Sequence, residues 1–298
     1  MYDFWANPRI RAEDIFATHR ASTIDRIEGY PIVLAIQDTT ELDYSHHPDT
    51  QGLGYLRGEN TKGMLLHSVL SVSNSGVPFG LLDQRLWART GRRYRTGSAS
   101  RSKSKSRLIA QKESGRWLES LKHTEAAVPE TTSVITIADR EADIYELFSQ
   151  PRRMWSDLLI RVHQDRQVKT TPEGESQSLK KLLLSQASQG YFCLNLKRTP
   201  RREAQSVLMS VQWVSVWVQP PVHHANRSQL APLRLQVVWA VEALGEIDEP
   251  TVSWMLMTTL PVAGFDQACQ YLEWYSYRWL IELNQSQYRY TRAQVGGT

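Results

Sequence analysis

The chain has 298 residues, 41% of them hydrophobic and 22% charged, with a formal net charge of +4. That composition belongs to a globular protein with one large domain or two smaller ones, and it excludes collagen-like and low-complexity chains. The small positive balance leans towards an anionic partner. Two cysteines, Cys193 and Cys269, are too few for a disulfide framework and fit a reducing compartment. The most apolar stretch, Val207 to Val218, is interrupted by Ser210, Gln212 and Ser215 and is too short to span a bilayer. Met1 to Asn7 carry no signal pattern. The expectation is a soluble cytoplasmic protein with no membrane partner.

In chain order, residues 1–29 read as an exposed helical segment, with Ala12 to Arg26 as one amphipathic helix beyond Pro8. Residues 30–38 form an apolar run rich in β-branched side chains, a buried strand that ends at Asp38. The polar loop that follows holds His46 and His47, which read as solvated side chains rather than metal ligands. Leu65 to Ser73 is a second strand, Asn74-Ser75-Gly76 a turn, and Val77 to Trp87 a third strand, giving an antiparallel meander. From Arg89 to Arg107 there are eight Lys or Arg and no acid. Such a run suits a solvated loop or a DNA backbone, and the two readings are compatible.

Gln111 to His123 reads as a helix with Trp117, Leu118 and Leu121 inward. Val134 to Ala138 is a buried strand stopping at Asp139, and a helix should start at once, with Glu141 and Asp143 in its first turn and Ile144, Leu147 and Phe148 on one face. Asp139 has two readings: a helix cap, or a ligand-binding carboxylate at the C-terminal end of a buried strand. If the two strands lie side by side and parallel, Asp38 and Asp139 meet at one sheet edge. Their repulsion would be relieved by a pair of divalent cations, which also makes phosphoryl chemistry possible.

Asp157 to His163 is a fifth short strand. Residues 164–260 form a β-rich stretch with segments at Tyr191 to Lys197, Ser206 to Val218, Leu233 to Val241 and Val252 to Thr259. From Phe265 the pattern turns helical, and Tyr275, Arg278 and Glu282 fall on one face. The bland reading of that face is a structural Arg–Glu pair four residues apart.

Three stretches in this order resemble the DDE transposases of bacterial insertion sequences, and more narrowly the insertion-sequence-four family: Gln37-Asp38-Thr39-Thr40, Ala138-Asp139-Arg140-Glu141-Ala142-Asp143, and Tyr275-Ser276-Tyr277-Arg278-Trp279-Leu280-Ile281-Glu282. Lys112-Glu113-Ser114-Gly115-Arg116-Trp117-Leu118 is similar as well. The resemblance covers roughly residues 1 to 282. It implies an α/β fold with a ribonuclease-H-like mixed sheet, flanking helices and a β-rich insertion. The boundaries would be a residual helical segment at 1–29, the first part of the core at 30–163, the insertion at 164–260, and the core's C-terminal helix at 261–298.

The resemblance further implies that Asp38, Asp139 and Glu282 are catalytic and bind two Mg²⁺ ions, with Mn²⁺ as a substitute. The activity implied is metal-dependent cleavage at transposon ends and strand transfer to target DNA. The partners implied are double-stranded DNA and, in full-length relatives, a second copy as a homodimer. Tyr275 and Arg278 would grip phosphates, Arg278 in a bidentate contact. Arg289 stands where the family signature has a Lys. Trp254 falls where the family stacks a flipped base, the alternative being a core residue of the insertion, and Arg161 matches a DNA-contact position. Leu283 to Thr291 show no clear apolar face, and about 30 residues precede the first strand, so the expectation is a core truncated at both ends. Two rivals stand beside this reading: a catalytically silent DNA-binding remnant of a transposase, and a carboxylate-pair hydrolase such as a glycosidase.

Overall fold

The computed structural model describes residues 7–47, 49–57, 61–90, 112–196, 204–222, 224, 226–243 and 252–285. Most of the basic run and Arg289 lie outside the described residues. Among the described residues, twelve strands hydrogen-bond into one mixed sheet flanked by helices, an α/β arrangement.

The sheet grows outward from β1 (Ile32–Asp43), whose residues 33–37 are buried without a break. That continuity marks a central strand covered on both faces. On one side β1 pairs antiparallel with β3 (Lys62–Ser73), which carries β4 (Pro78–Trp87) beyond it and the two-residue β2 (Gly54–Tyr55) at its start. The β3–β4 hairpin turns on Gly76 at φ +86°, a conformation open to glycine at no steric cost. On the other side β1 runs parallel to β5 (Ser133–Ala138), and β5 parallel to β6 (Ser156–Arg161). The order β4-β3-β1-β5-β6 thus places three parallel strands beside an antiparallel hairpin.

Period-two alternation splits the core between the two faces. Leu34, Ile36, Ile135 and Ile137 face α5 (Phe265–Ser276), which contributes Tyr271, Leu272, Trp274 and Tyr275. Val33, Ala35 and Val134 point the other way, onto Ile27 of α1 (Ala12–Ile27) and Val128 just after α2 (Gly115–Ala127). Trp117, Leu118 and Leu121 of α2 extend that second layer over Ala138, Leu158 and Ile160. Each fully buried Leu or Ile contributes about 1.5–3 kcal/mol relative to exposure. The helix α1 also covers the free edge of β4: the Leu81 N–H donates to His19 Nε2 at 3.0 Å, and Arg26 donates to the Phe79 carbonyl at 2.8 Å. An edge so occupied cannot template further strands.

The β-rich stretch continues the same sheet. β12 (Ser253–Thr258) pairs antiparallel with β6, followed by β11 (Leu233–Glu242) and β10 (Gln205–Val218). β9 (Gly190–Leu196) and the short β7 (Gln167–Lys169) both pair with β10, and β8 (Gln177–Ser178) pairs with β7. A short helix, α4 (Leu179–Leu184), buries Leu179, Leu182 and Leu183.

Three local expectations are corrected. First, β1 does not stop at Asp38 but runs five residues further, because Thr39 to Asp43 stay in register with 63–67 of β3. Second, no regular helix starts after Asp139. A 3₁₀ turn (Arg140–Ala142) is followed by an extended Ile144 and the short α3 (Tyr145–Ser149). The reason lies in Asp143, whose buried carboxylate accepts from the backbone of His163 at 2.8 Å and Gln164 at 3.1 Å and pairs with Arg166. Those bonds compete with helix propagation. Third, the C-terminal helix is broken at residues 277–278 and resumes as α6, residues 279–285. Across the break the N–H groups of Tyr277, Arg278, Leu280 and Ile281 each bond three residues back, a tightening of the helix. The Tyr277 ring there packs on Gly76 of the hairpin turn.

Candidate active site

The register Gln37↔Ala138 on parallel β1 and β5 makes Asp38 and Asp139 the next neighbours across the sheet. Asp38 shares a face with Leu34 and Ile36, so its carboxylate looks towards the C-terminal helices; Thr39 takes the opposite face, towards α2. Asp139 leaves the end of β5, and its Oδ1 accepts from the Arg140 backbone N–H. The capping role and the sheet-edge position are therefore both realised in one residue.

The break between α5 and α6 brings Arg278 to this edge. Arg278 Nη1 lies 3.9 Å from Asp38 Oδ1, and Nη2 donates to Glu282 one turn on. Burial pushes the Asp38 carboxyl up to about 6. Arg278 and the Thr39 N–H pull it back down, while Glu282 and Asp139 add repulsion. Burial alone would lower the pKa of Arg278, but Tyr275, Glu282, Asp139 and Asp38 together hold it above its ordinary value. The guanidinium stays charged and is the local counter-ion of the acids.

Tyr275 is buried, and burial raises its phenol pKa while Arg278 and Arg161 act against that rise. The Arg161 guanidinium stands beside the Tyr275 hydroxyl, short of good hydrogen-bond geometry, and its Nη2 donates instead to the Ser253 carbonyl at 3.1 Å. Trp254, half-buried on β12, meets the Tyr275 ring edge-on with centroids 5.2 Å apart. Asp38, Asp139, Glu282, Tyr275, Arg278, Arg161 and Trp254 thus come to one region, from β1, β5, β6, β12, α5, α6 and the break between those two helices. A cavity of about 430 Å³ opens beside them, lined by Asp38, Thr40, Glu41, Arg57, Glu282 and Gln285.

Among the described residues, no three His, Cys, Asp or Glu side chains already stand as a metal cage, and the Glu282 carboxylate is turned onto Arg278. The donor chemistry still fits a hard divalent cation: the carboxylates are oxygen ligands, and Asp38 sits where burial, more than its acidic neighbours, disfavours a charge left without a cation.

A second group of residues escaped sequence reasoning. Arg116 of α2 donates through Nε to Thr39 Oγ1 at 2.8 Å and through Nη2 to Glu141 at 2.7 Å. It thereby ties the residue after Asp38 to the segment after Asp139. Thr39 Oγ1 also bonds His67 Nδ1 at 2.8 Å, and the His67 ring meets Trp117 edge-on at 4.7 Å. Burial, with Arg116 and Arg85 nearby, pushes His67 down to about 3, so this imidazole is neutral. The available signal was adjacency, since Arg116, Thr39 and Glu141 all lie inside the stretches that carry the family resemblance.

His46 and His47 lie in an exposed turn apart from these groups. Of the basic run, Arg89 is described and is engaged by Glu113 and Glu41. No helix among the described residues is long and apolar enough to cross a membrane. No protein-family model matches the chain.

Proposed function

We propose that this chain is the catalytic core of a DDE transposase of the insertion-sequence-four type, cutting DNA at transposon ends and joining it to target DNA. The observation that carries the reading is the placement of Asp38 and Asp139 side by side on parallel central strands, with Tyr275, Arg278 and Glu282 delivered to the same edge. An antiparallel hairpin beside parallel central strands, in the order β4-β3-β1-β5-β6, is compatible with the ribonuclease-H-like sheet that the resemblance implies.

In this reading Asp38, Asp139 and Glu282 hold Mg²⁺ or Mn²⁺. Bound divalent cations supply the means to activate a water or 3′-hydroxyl and to stabilise the leaving oxygen. Asp38 must lose its proton before it can serve as a ligand, and burial makes that loss harder than for an exposed aspartate, so cation binding should strengthen as pH rises. Arg278 offers two N–H donors suited to a phosphate, and Glu282 is released as that contact forms. The Trp254 ring, half-exposed beside Tyr275, offers a surface on which an unstacked base can lie.

The test is nicking of supercoiled DNA by the purified chain with Mg²⁺ or Mn²⁺, against EDTA and against Asp139→Ala. Cation-dependent nicking that disappears in the variant is expected. Nicking that persists in EDTA or in Asp139→Ala would sink the reading. One observation favours the rival of a silent DNA-binding remnant: Glu282 is ion-paired with Arg278 rather than grouped with the two aspartates. That rival expects salt-sensitive DNA binding with no cation-dependent nicking.

A further inference from the structure

Beside the carboxylates, on the α2 side of the same sheet edge, lies a second cavity of about 480 Å³. It is lined by Arg57, Arg116, Arg140, His163 and a single acid, Glu141, over the Trp117 ring. The two oxygens of Glu141 are divided between two guanidiniums: Oε1 takes Arg57 at 2.5 Å and Oε2 takes Arg116 at 2.7 Å. The side chain of Arg140 makes no hydrogen bond or ion pair among the described residues. Arg57 also lines the cavity that holds Asp38 and Glu282, so the two cavities meet at this residue.

A carboxylate held through both oxygens by two arginines presents the same pattern as the two non-bridging oxygens of a phosphodiester. Three arginines against one carboxylate leave an excess of positive charge, and Arg116 is fixed in place by Thr39 and Trp117 rather than free in solvent. We propose that this cavity is a binding site for a backbone phosphate of the DNA strand engaged at Asp38 and Asp139, with Glu141 as an internal occupant that the phosphate displaces. The proposal rests on the transposase reading for the identity of the strand. It adds a specific anion site on the opposite flank of the metal-binding edge from Arg278. Glu141 keeps the arginines ordered when DNA is absent and weakens their hold when it is present.

The experiment measures binding of a fluorescent DNA duplex in EDTA across a KCl series, for the wild-type chain, Glu141→Gln and Arg57→Gln. Glu141 and Arg57 are 41% and 62% exposed, so both variants should fold, and thermal melts check this. Glu141→Gln removes the competing charge and should tighten DNA binding about tenfold, the scale of one charge-assisted hydrogen bond. A residue serving only to hold the fold would give unchanged or weaker binding there. Arg57→Gln should weaken binding about tenfold and make the salt slope shallower by about 0.9, the loss of one phosphate contact. Inorganic phosphate separates a strand from a free anion. It should shift the melting temperature of none of the three proteins at 1 mM. If it stabilises them while DNA affinity ignores the substitutions, the site takes free phosphate and the proposal falls. If the wild type binds DNA and both variants match it in affinity and slope, the site falls while the transposase reading stands. If the wild type binds no DNA, the transposase reading fails and takes the site with it.

Discussion

Replacing Asp38 with Asn should make the protein more stable at neutral pH, against the usual direction for a substitution at a buried site. The carboxyl is pushed from 3.8 up to about 6, chiefly by burial. Between those values the folded chain keeps a proton that the unfolded chain has lost. Stability therefore falls as pH rises through this window, and the cost is complete above the folded pKa. At 1.36 kcal/mol per unit, a rise of about two units is worth about 3 kcal/mol. Asn has the shape of the protonated acid and carries no such cost. The expected difference is near zero at pH 4 and about 3 kcal/mol in favour of Asp38→Asn at pH 8, an increase of about 5 °C in melting temperature for a chain of this size. Urea unfolding of both proteins from pH 4 to 8 in EDTA measures it, and the comparison cancels titrations common to both, including that of His67. Parallel stability curves, or a variant less stable at pH 8, would refute the reasoning. Under the function proposed above, adding Mg²⁺ should narrow the gap from the wild-type side, because a ligand that binds the folded state stabilises it.

Three further outcomes follow from the geometry. Arg278→Ala removes the group that holds Asp38 down, so the Asp38 titration followed by carboxyl NMR should move above about 6; an unmoved midpoint would mean that the 3.9 Å pair is electrostatically silent. His67 is neutral in the fold and its pKa is lowered, so its contribution is lost as pH falls below its unfolded value towards about 3. His67→Gln should be less stable at pH 7 by about 1 kcal/mol, for the altered bond to Thr39, but should overtake the wild type below about pH 6 and be the more stable of the two at pH 4 in urea midpoints, because the wild type alone loses about 1.36 kcal/mol per pH unit there. In Gly63→Ala the new Cβ would sit 2.0 Å from the Leu42 carbonyl oxygen across the β1–β3 pair. A loss of about 1–3 kcal/mol or more should appear in chemical denaturation.

Much of the fold could be read in the sequence where one residue's neighbours decide its state. The alternating segments at 190–196, 205–218, 233–242 and 253–258 are strands within a residue or two of their expected ends, because burial on one or both faces leaves a period-two mark. The meeting of Asp38 and Asp139 could be read because both follow mostly apolar runs rich in β-branched residues, the mark of central strands buried on both faces. What could not be read depends on partners distant in the chain. Thr39 to Asp43 are polar apart from Leu42 and look like a loop, yet β3 supplies their ladder partners. The break at Tyr277 is invisible in helical periodicity, and the ring it carries packs on Gly76, about 200 residues earlier. Arg116 joins Thr39 and Glu141 across separations of 77 and 25 residues, and no spacing rule announces such a bond.

Two features of the acidic edge, the burial of Asp38 and the pairing of Glu282, bear on how a cation would enter it. Asp38 takes up a proton more readily than an exposed aspartate, and Glu282 turns onto Arg278. Under the proposed function a divalent cation competes with both: with a proton at Asp38 below about pH 6, and with a guanidinium for Glu282. The first competition makes affinity rise with pH until Asp38 is ionised. The second is relieved when Arg278 takes hold of a phosphate instead, because Glu282 is then free to join the aspartates. DNA and metal should therefore bind with positive coupling, each strengthening the other by the same factor. The reciprocity gives a check that needs no turnover: the gain in Mn²⁺ affinity caused by DNA must equal the gain in DNA affinity caused by Mn²⁺. Arg278→Ala, which removes the exchange of partners, should diminish both alike.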